Sequence, residues 1–217
     1  MKNEKQILEL YVCNDGEIPV ITKPFLQRDY VYATEKHILI RISKKVIDGE
    51  YEYSEKPKCD IHFIETRVEK IIYLSDFKRV FKNIPTIDEI ISRGEYIECT
   101  ECNGKGQVEW EYSGKIRIYE EDFHCPVCNG SGYESEPVEF KTGNKVIDPK
   151  TIFSIHDKNF MYFYLEIIVK TMEYMNIDRV IYKYNQNSTF EQSIFEFDEN
   201  VSVLIMPTTN DPEYIII

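Results

Sequence analysis

Two eight-residue stretches repeat one pattern: residues 99–106 read CTECNGKG and residues 125–132 read CPVCNGSG, both of the form CxxCxGxG. Two cysteines three positions apart on a turn can place both sulfurs on one ion, at about 2.3 Å from each. Two such turns supply the four thiolates of a closed tetrahedral site. The pattern therefore predicts one structural zinc ion held by Cys99, Cys102, Cys125 and Cys128. Gly104, Gly106, Gly130 and Gly132 complete the two motifs, where they permit positive φ and let N–H groups turn toward sulfur. These are four of the chain's nine glycines, a concentration that a redox CxxC pair would leave unexplained. His124 adjoins Cys125, but four thiolates already complete the site, so it reads as a surface residue. Cys13 and Cys59 stand outside the repeat and read as ordinary small apolar residues.

Between the motifs, residues 108–112 and 115–119 read as two strands, with Ser113-Gly114 as a tight turn. Zinc at the base would close an extended finger. From Glu95 to Glu139 there are eleven acidic residues against Lys105, Lys115 and Arg117, a net of −8 out of the chain's −12. Such a surface repels phosphate backbones. It predicts a basic protein partner, or a solvated strut, in place of nucleic acid.

Sixteen Tyr and twelve Phe among 217 residues favour strand-rich packing, and a chain this long buries a core without disulfides. The first residues lack the apolar core of a signal peptide, and no stretch is long enough to span a bilayer. The chain accordingly reads as cytoplasmic, where thiols stay reduced and clustered cysteines indicate metal. No GxSxG, HExxH, phosphate-cradling glycine loop or kinase-like set is present. With a closed zinc site offering no position to an activated water, the expectation is a non-enzyme.

Elsewhere, Asp157 is a candidate N-cap for a helix whose apolar stripe is Phe160, Phe163, Tyr164, Ile167, Ile168 and Met172. Strands are expected over 179–184, 193–197 and 201–206, with turns at 185–188 and 198–200. Upstream, Ser75 reads as the cap of a helix over 76–83. Thr86 with Glu89 forms a capping-box pattern before a helix over 87–93 that Gly94 ends. Lys78, Arg79 and Lys82 place three cations on adjacent turns, readable either as phosphate contacts or as an ordinary solvated face.

Two family resemblances follow. The CxxCxGxG repeat resembles the cysteine-rich region of J-protein chaperones, where four copies bind two zinc ions; two copies here, over residues 97–133, imply one ion. None of His37, His62, His124 and His156 begins that family's His-Pro-Asp signature. This likeness implies, as one reading, a chaperone or adaptor that binds polypeptide. Separately, YLEIIVKTM (164–172), DRVIYKY (178–184) and SVLIMP (202–207) resemble the closing segment of the bacterial sliding clamp, the DNA polymerase III beta subunit. VYATEKHILIRI (31–42) resembles that family's strand pair, with Glu35-Lys36 replacing Asp-Gly, and the blocks together cover about a third of the chain.

The clamp resemblance implies an α+β fold: a DNA-clamp-like domain with helices on one face of a curved antiparallel sheet, interrupted by a zinc-bound β-hairpin. Residues 1–94 would form its first half, 95–137 the zinc finger insertion and 138–217 the second half, with 138–153 resuming the sheet. It implies a non-enzymatic binding module associated with DNA replication or repair, using the acidic finger for protein contact. DNA binding and oligomer formation remain open, and no membrane is involved. The family's chains carry three such domains and this one has room for one, so a ring would need six copies. The tail TTNDPEYIII departs from the family's peptide pocket, and the expected long helix offers only Lys158 and Lys170 against Glu166 and Glu173.

Overall fold

The computed structural model describes residues 1–13, 21–55, 57–59, 63, 68–186, 188 and 191–217. His62 and parts of the expected 185–188 turn lie outside them. The chain divides into two compact units, one of Met1–Pro85 with Ile147–Ile217 and one of Thr86–Val146.

The first unit is built on a mainly antiparallel sheet. Its strands are β1 (Phe25–Gln27), β2 (Tyr30–Thr34), β3 (Ile38–Ser43) and β4 (Val68–Tyr73), then β13 (Arg179–Tyr184), β14 (Ser193–Glu196) and β15 (Val201–Ile205). They lie in the order β1-β2-β3-β15-β14-β13-β4. At the centre, β3 pairs antiparallel with β15 in the register Ile38↔Ile205, Ile40↔Val203 and Ile42↔Val201. All six of these side chains are fully buried. β-branched residues facing one another across a ladder suit a pleated, covered surface.

What covers that face is helical. Ile7 and Leu8 of α1 (Glu4–Glu9), Phe77 of α2 (Leu74–Phe81) and Leu165, Ile168 and Met172 of α3 (Tyr162–Met175) share one cluster with those strand residues. The opposite face carries a smaller cluster of Phe25, Tyr32, Leu39, Cys59 and Leu204. Cys13 and Cys59 are both buried, as their reading as small apolar residues expects. A three-stranded sheet completes the unit, with β12 (Lys158–Met161), β11 (Ile152–Ile155) and β16 (Tyr214–Ile215) in that order. Among the described residues, no helix is long and apolar enough to cross a membrane.

Several local expectations are corrected. Asp157 does not cap α3. It forms, with His156, the two-residue turn between β11 and β12, both residues at positive φ (64° and 46°). Phe160 and Lys158 consequently belong to β12, and Lys158 is buried instead of lying on a DNA-facing helix. The first N–H groups of α3 are taken by backbone: Tyr162 donates to the Thr151 carbonyl at 2.8 Å and Phe163 to that of Pro149 at 3.2 Å. With those orphan donors satisfied, no capping side chain is required. Ser75 is likewise inside α2; the start is secured by the Asp76 carboxylate, which accepts from the Tyr73 N–H at 3.1 Å. The expected helix over 87–93 is a strand, β5 (Thr86–Arg93), paired with β10 (Val138–Ile147). Three isoleucines and a partner strand outweigh the capping-box pattern there.

That pairing also widens the second unit beyond the expected 95–137, and β10 joins β5 instead of resuming the main sheet. Lys141 and Lys145 reach Asp88 at 3.0 and 2.5 Å, and Thr142 and Asn144 donate to Glu89 at 2.5 and 2.9 Å. Further along, β6 (Ile97–Glu98) pairs with β9 (Tyr133–Ser135). β7 (Gln107–Ser113) pairs antiparallel with β8 (Ile118–His124). The hairpin loop is 114–117, four residues closed by Gly114 N–H to the Arg117 carbonyl at 3.0 Å, so the second strand begins later than expected.

Candidate metal centre

Each CxxCxGxG motif folds into a compact knuckle. In the first, Asn103, Gly104 and Gly106 all have positive φ, and in the second so do Asn129, Gly130 and Gly132. The reversal turns main-chain donors inward. Gly106 N–H points at the Cys102 sulfur (3.2 Å) and Gly132 N–H at the Cys128 sulfur (3.3 Å).

The two knuckles clasp each other by a reciprocal exchange. Cys99 N–H donates to the Gly132 carbonyl at 2.8 Å, and Cys125 N–H donates to the Gly106 carbonyl at 2.9 Å. A Cβ on Gly106 would collide with the Gly130 carbonyl oxygen, and one on Gly132 would sit 2.5 Å from that of Gly104. These two positions therefore require glycine twice over, for backbone conformation and for close approach. Outside the clasp, the Glu134 carboxylate accepts from the Thr100 N–H (3.0 Å) and hydroxyl (2.7 Å), which holds its pKa below the ordinary carboxylate range.

Four sulfurs converge as a result. The Sγ atoms of Cys99, Cys102, Cys125 and Cys128 lie within 4.8 Å of one another, and all four residues are buried. Cys99 and Cys125 are 3.8 Å apart and Cys102 and Cys128 3.7 Å. A tetrahedron with metal–sulfur bonds of about 2.3 Å has edges of about 3.8 Å, so these two separations match that geometry. No disulfide joins them, and they are too far apart for an S–S bond. The donor set suits a soft tetrahedral ion such as zinc.

The surroundings push two of the thiols, Cys99 and Cys128, in opposite directions. At Cys99 the Cys102 N–H pulls downward, but burial and the Cys102 and Cys125 sulfurs outweigh it and push the pKa up to about 11. At Cys128 burial pushes upward, but the Gly132 and Gly130 N–H groups and the neighbouring thiols bring it down to about 7. A divalent cation among the sulfurs would override that difference, because it favours the thiolate form of its ligands.

His124 is exposed and contributes no atom to this group; its ring lies beside Gly130, where an added Cβ would be 2.8 Å from Nδ1. The three cations read as possible phosphate contacts sit on or just after α2. Two of them are engaged: Lys78 with Glu173 at 2.6 Å and Arg79 with Asp76 at 3.5 Å.

Sequence reasoning missed two properties of the second unit. Apart from the four cysteines and the two glycines of the clasp, it buries no residue. The hairpin is also two-faced. By register, Val108, Trp110 and Tyr112 share a face with Phe123, Glu121 and Tyr119, while Glu109 and Glu111 share the other with Asp122 and Glu120. Strict alternation in QVEWEYS was the available signal.

No family model matches the chain, and no curated protein matches it. Solved structures do, and those compared are sliding clamps. The DNA polymerase sliding clamp from Bacillus subtilis aligns over 97% of this chain and 64% of its own, at 11% identity and a TM-score of 0.46. DNA polymerase III subunit beta from Borrelia burgdorferi, in complex with a natural product, aligns over 97% and 62%, at 11% identity and a TM-score of 0.47. The Helicobacter pylori beta clamp bound to DNA ligase peptide aligns over 95% and 62%, at 12% identity and 0.44. The chain thus spans less than two-thirds of the length of these clamps.

Proposed function

We propose that this chain is a non-enzymatic, clamp-like binding module associated with DNA replication or repair, whose second unit is a zinc-clasped acidic finger that contacts another protein. The observation that carries the finger's part is its interior, which consists of four convergent cysteines and almost nothing else. Zinc held by four thiolates has no open position, so bound there it supplies rigidity and no activated water. Cys99, Cys102, Cys125 and Cys128 would hold it, and everything else the finger presents is surface. Supporting the clamp part, the sequence blocks 164–172, 178–184 and 202–207 fall on α3, β13 and β15, helix followed by strands of one sheet.

DNA contact through Lys78, Arg79 and Lys82 belongs to the same proposal. The ion pairs of Lys78 and Arg79 are solvent-exposed, and such pairs contribute only about 0–1 kcal/mol, so phosphates can replace them. The solution mass by light scattering, with and without a DNA duplex at moderate salt, tests the reading. A mass near six chains of 25.8 kDa each, retained on DNA, supports a self-assembled ring. A monomer indifferent to DNA at low salt removes the clamp role and leaves the finger's protein contact. The exposed aromatic face favours a second reading, a J-protein-like chaperone or adaptor for unfolded polypeptide. Suppression of client aggregation, lost in Cys99→Ser with Cys102→Ser, would select it.

A further inference from the structure

The hairpin of β7 and β8 is amphipathic with neither face covered. On its aromatic face Trp110 is 62% exposed, Tyr112 71%, Tyr119 49% and Phe123 48%. The rings meet as two cross-strand pairs: Trp110 meets Phe123 edge-on at 6.1 Å and Tyr112 lies 6.2 Å from Tyr119. Val108 continues this face to the cysteine cluster, against which it packs. Single exposed apolar residues are ordinary, but four exposed aromatic rings on one face of a hairpin mark a contact surface. Glu121, opposite Trp110, places a carboxylate within it.

The reverse face carries Glu109, Glu111, Glu120 and Asp122, two directly opposed pairs of like charge. Like charges across a ladder are destabilising, and among the described residues none of these four carboxylates is in an ion pair. The hairpin's only cations, Lys115 and Arg117, are in the 114–117 loop, and Arg117 stacks on Tyr119 at 4.5 Å. Among the described residues neither strand pairs with a third, so both outer edges present unused backbone donors and acceptors.

We infer that the hairpin accepts an extended segment of another protein as a third strand, its side chains alternating lysine or arginine with aromatic or branched apolar residues. Alternation puts the cations over the acidic face and the apolar residues along the aromatic face, while backbone bonds on the free edge hold the segment. Edge pairing with a second copy of this chain would set acidic row beside acidic row, so charge excludes it. Single-stranded nucleic acid would find stacking surfaces, but its phosphates would meet five carboxylates on the hairpin strands. This inference rests on the finger being the protein-contacting unit and names what it takes.

Trp110 is the only tryptophan in the chain, so its fluorescence reports on this face alone. The full, zinc-loaded chain would be titrated with a soluble synthetic peptide alternating lysine with valine and tyrosine. Controls are the same composition in helical order and oligothymidylate. A saturable blue shift is expected with the alternating peptide, at least tenfold weaker for the reordered one and absent for oligothymidylate. E109Q, E111Q, E120Q and D122N combined should weaken binding at least tenfold and flatten its salt dependence. Tyr112→Thr with Tyr119→Thr should weaken it with the salt dependence intact. Unchanged metal content would certify that each variant retains the clasp. Equal binding of both peptides, a response to oligothymidylate instead, or no response from a metal-loaded chain overturns the inference. The clamp reading is decided separately by the mass measurement, so either can fail alone.

Discussion

At the residue scale, the cysteine clasp depends on atoms with no tolerance for substitution. Replacing any one of Cys99, Cys102, Cys125 or Cys128 by Ser should lower zinc content below one ion per chain, measured by atomic absorption after dialysis. Gly132→Ala touches no ligand, yet its Cβ would press on the Gly104 carbonyl and disturb the N–H that faces the Cys128 sulfur. Lost support of this kind costs roughly 10–100-fold in metal affinity, which a competition titration with a chromophoric chelator would read. His156 supplies a pH probe elsewhere. Its ring stacks on Tyr184 at 5.5 Å, and burial, then the Lys70 charge, holds its pKa below 6.5, against a smaller opposing pull from Asp157. Below 6.5 the unfolded chain therefore binds more protons than the folded one. The contribution of His156 to stability is present above pH 6.5 and is lost as pH falls through the folded value. NMR of the imidazole should show that lowered titration, and His156→Asn should flatten the stability profile over the same range.

At the element scale, the elements that matched expectation are those whose local pattern agrees with their packing. The 179–184, 193–197 and 201–206 runs became β13, β14 and β15 almost unchanged, because their β-branched and aromatic residues, the exposed Ile181 apart, are buried in the sheet. α3 is set by tertiary contact at both ends: carbonyls of residues 149 and 151 receive its first donors, and Asn176 at φ 55° ends it. Met172, fully buried on that helix, should cost about 2–5 kcal/mol when replaced by Ala, read from chemical denaturation of the first unit. β5 escaped recognition because Thr86 and Glu89 fit a helix cap locally. The partners that make it a strand are more than forty residues away, on β10.

For the whole molecule, the two units are stabilised by different physics. The first has a continuous apolar cluster joining helices and sheet, whereas the second buries only its four clustered cysteines and two glycines. Binding free energy at a structural zinc site is folding free energy, so chelation should unfold the second unit and spare the first. Hydrogen exchange before and after a strong chelator would show protection lost across 86–146 and kept in β3 and β15. If the chain grips DNA through α2 and the residue after it, affinity should fall with salt. Lys82→Ala should then reduce the slope of log affinity against log salt by about 1, measured by fluorescence anisotropy.

The sequence by itself determined the cysteine knuckles, the acidic bias of the finger and the central strands. Each is encoded within a few consecutive residues, where spacing alone decides which atoms can meet. Only the tertiary structure decided that 86–93 is a strand, that 156–157 is a turn, and that α3 starts without a side-chain cap. It also decided that the finger has no core but its cysteines. In each case the controlling interaction comes from residues distant in sequence, or from strand register, which fixes the face each side chain occupies. The acidic and aromatic residues of the hairpin are plain in the sequence; their separation onto opposite faces follows from the pairing of β7 with β8.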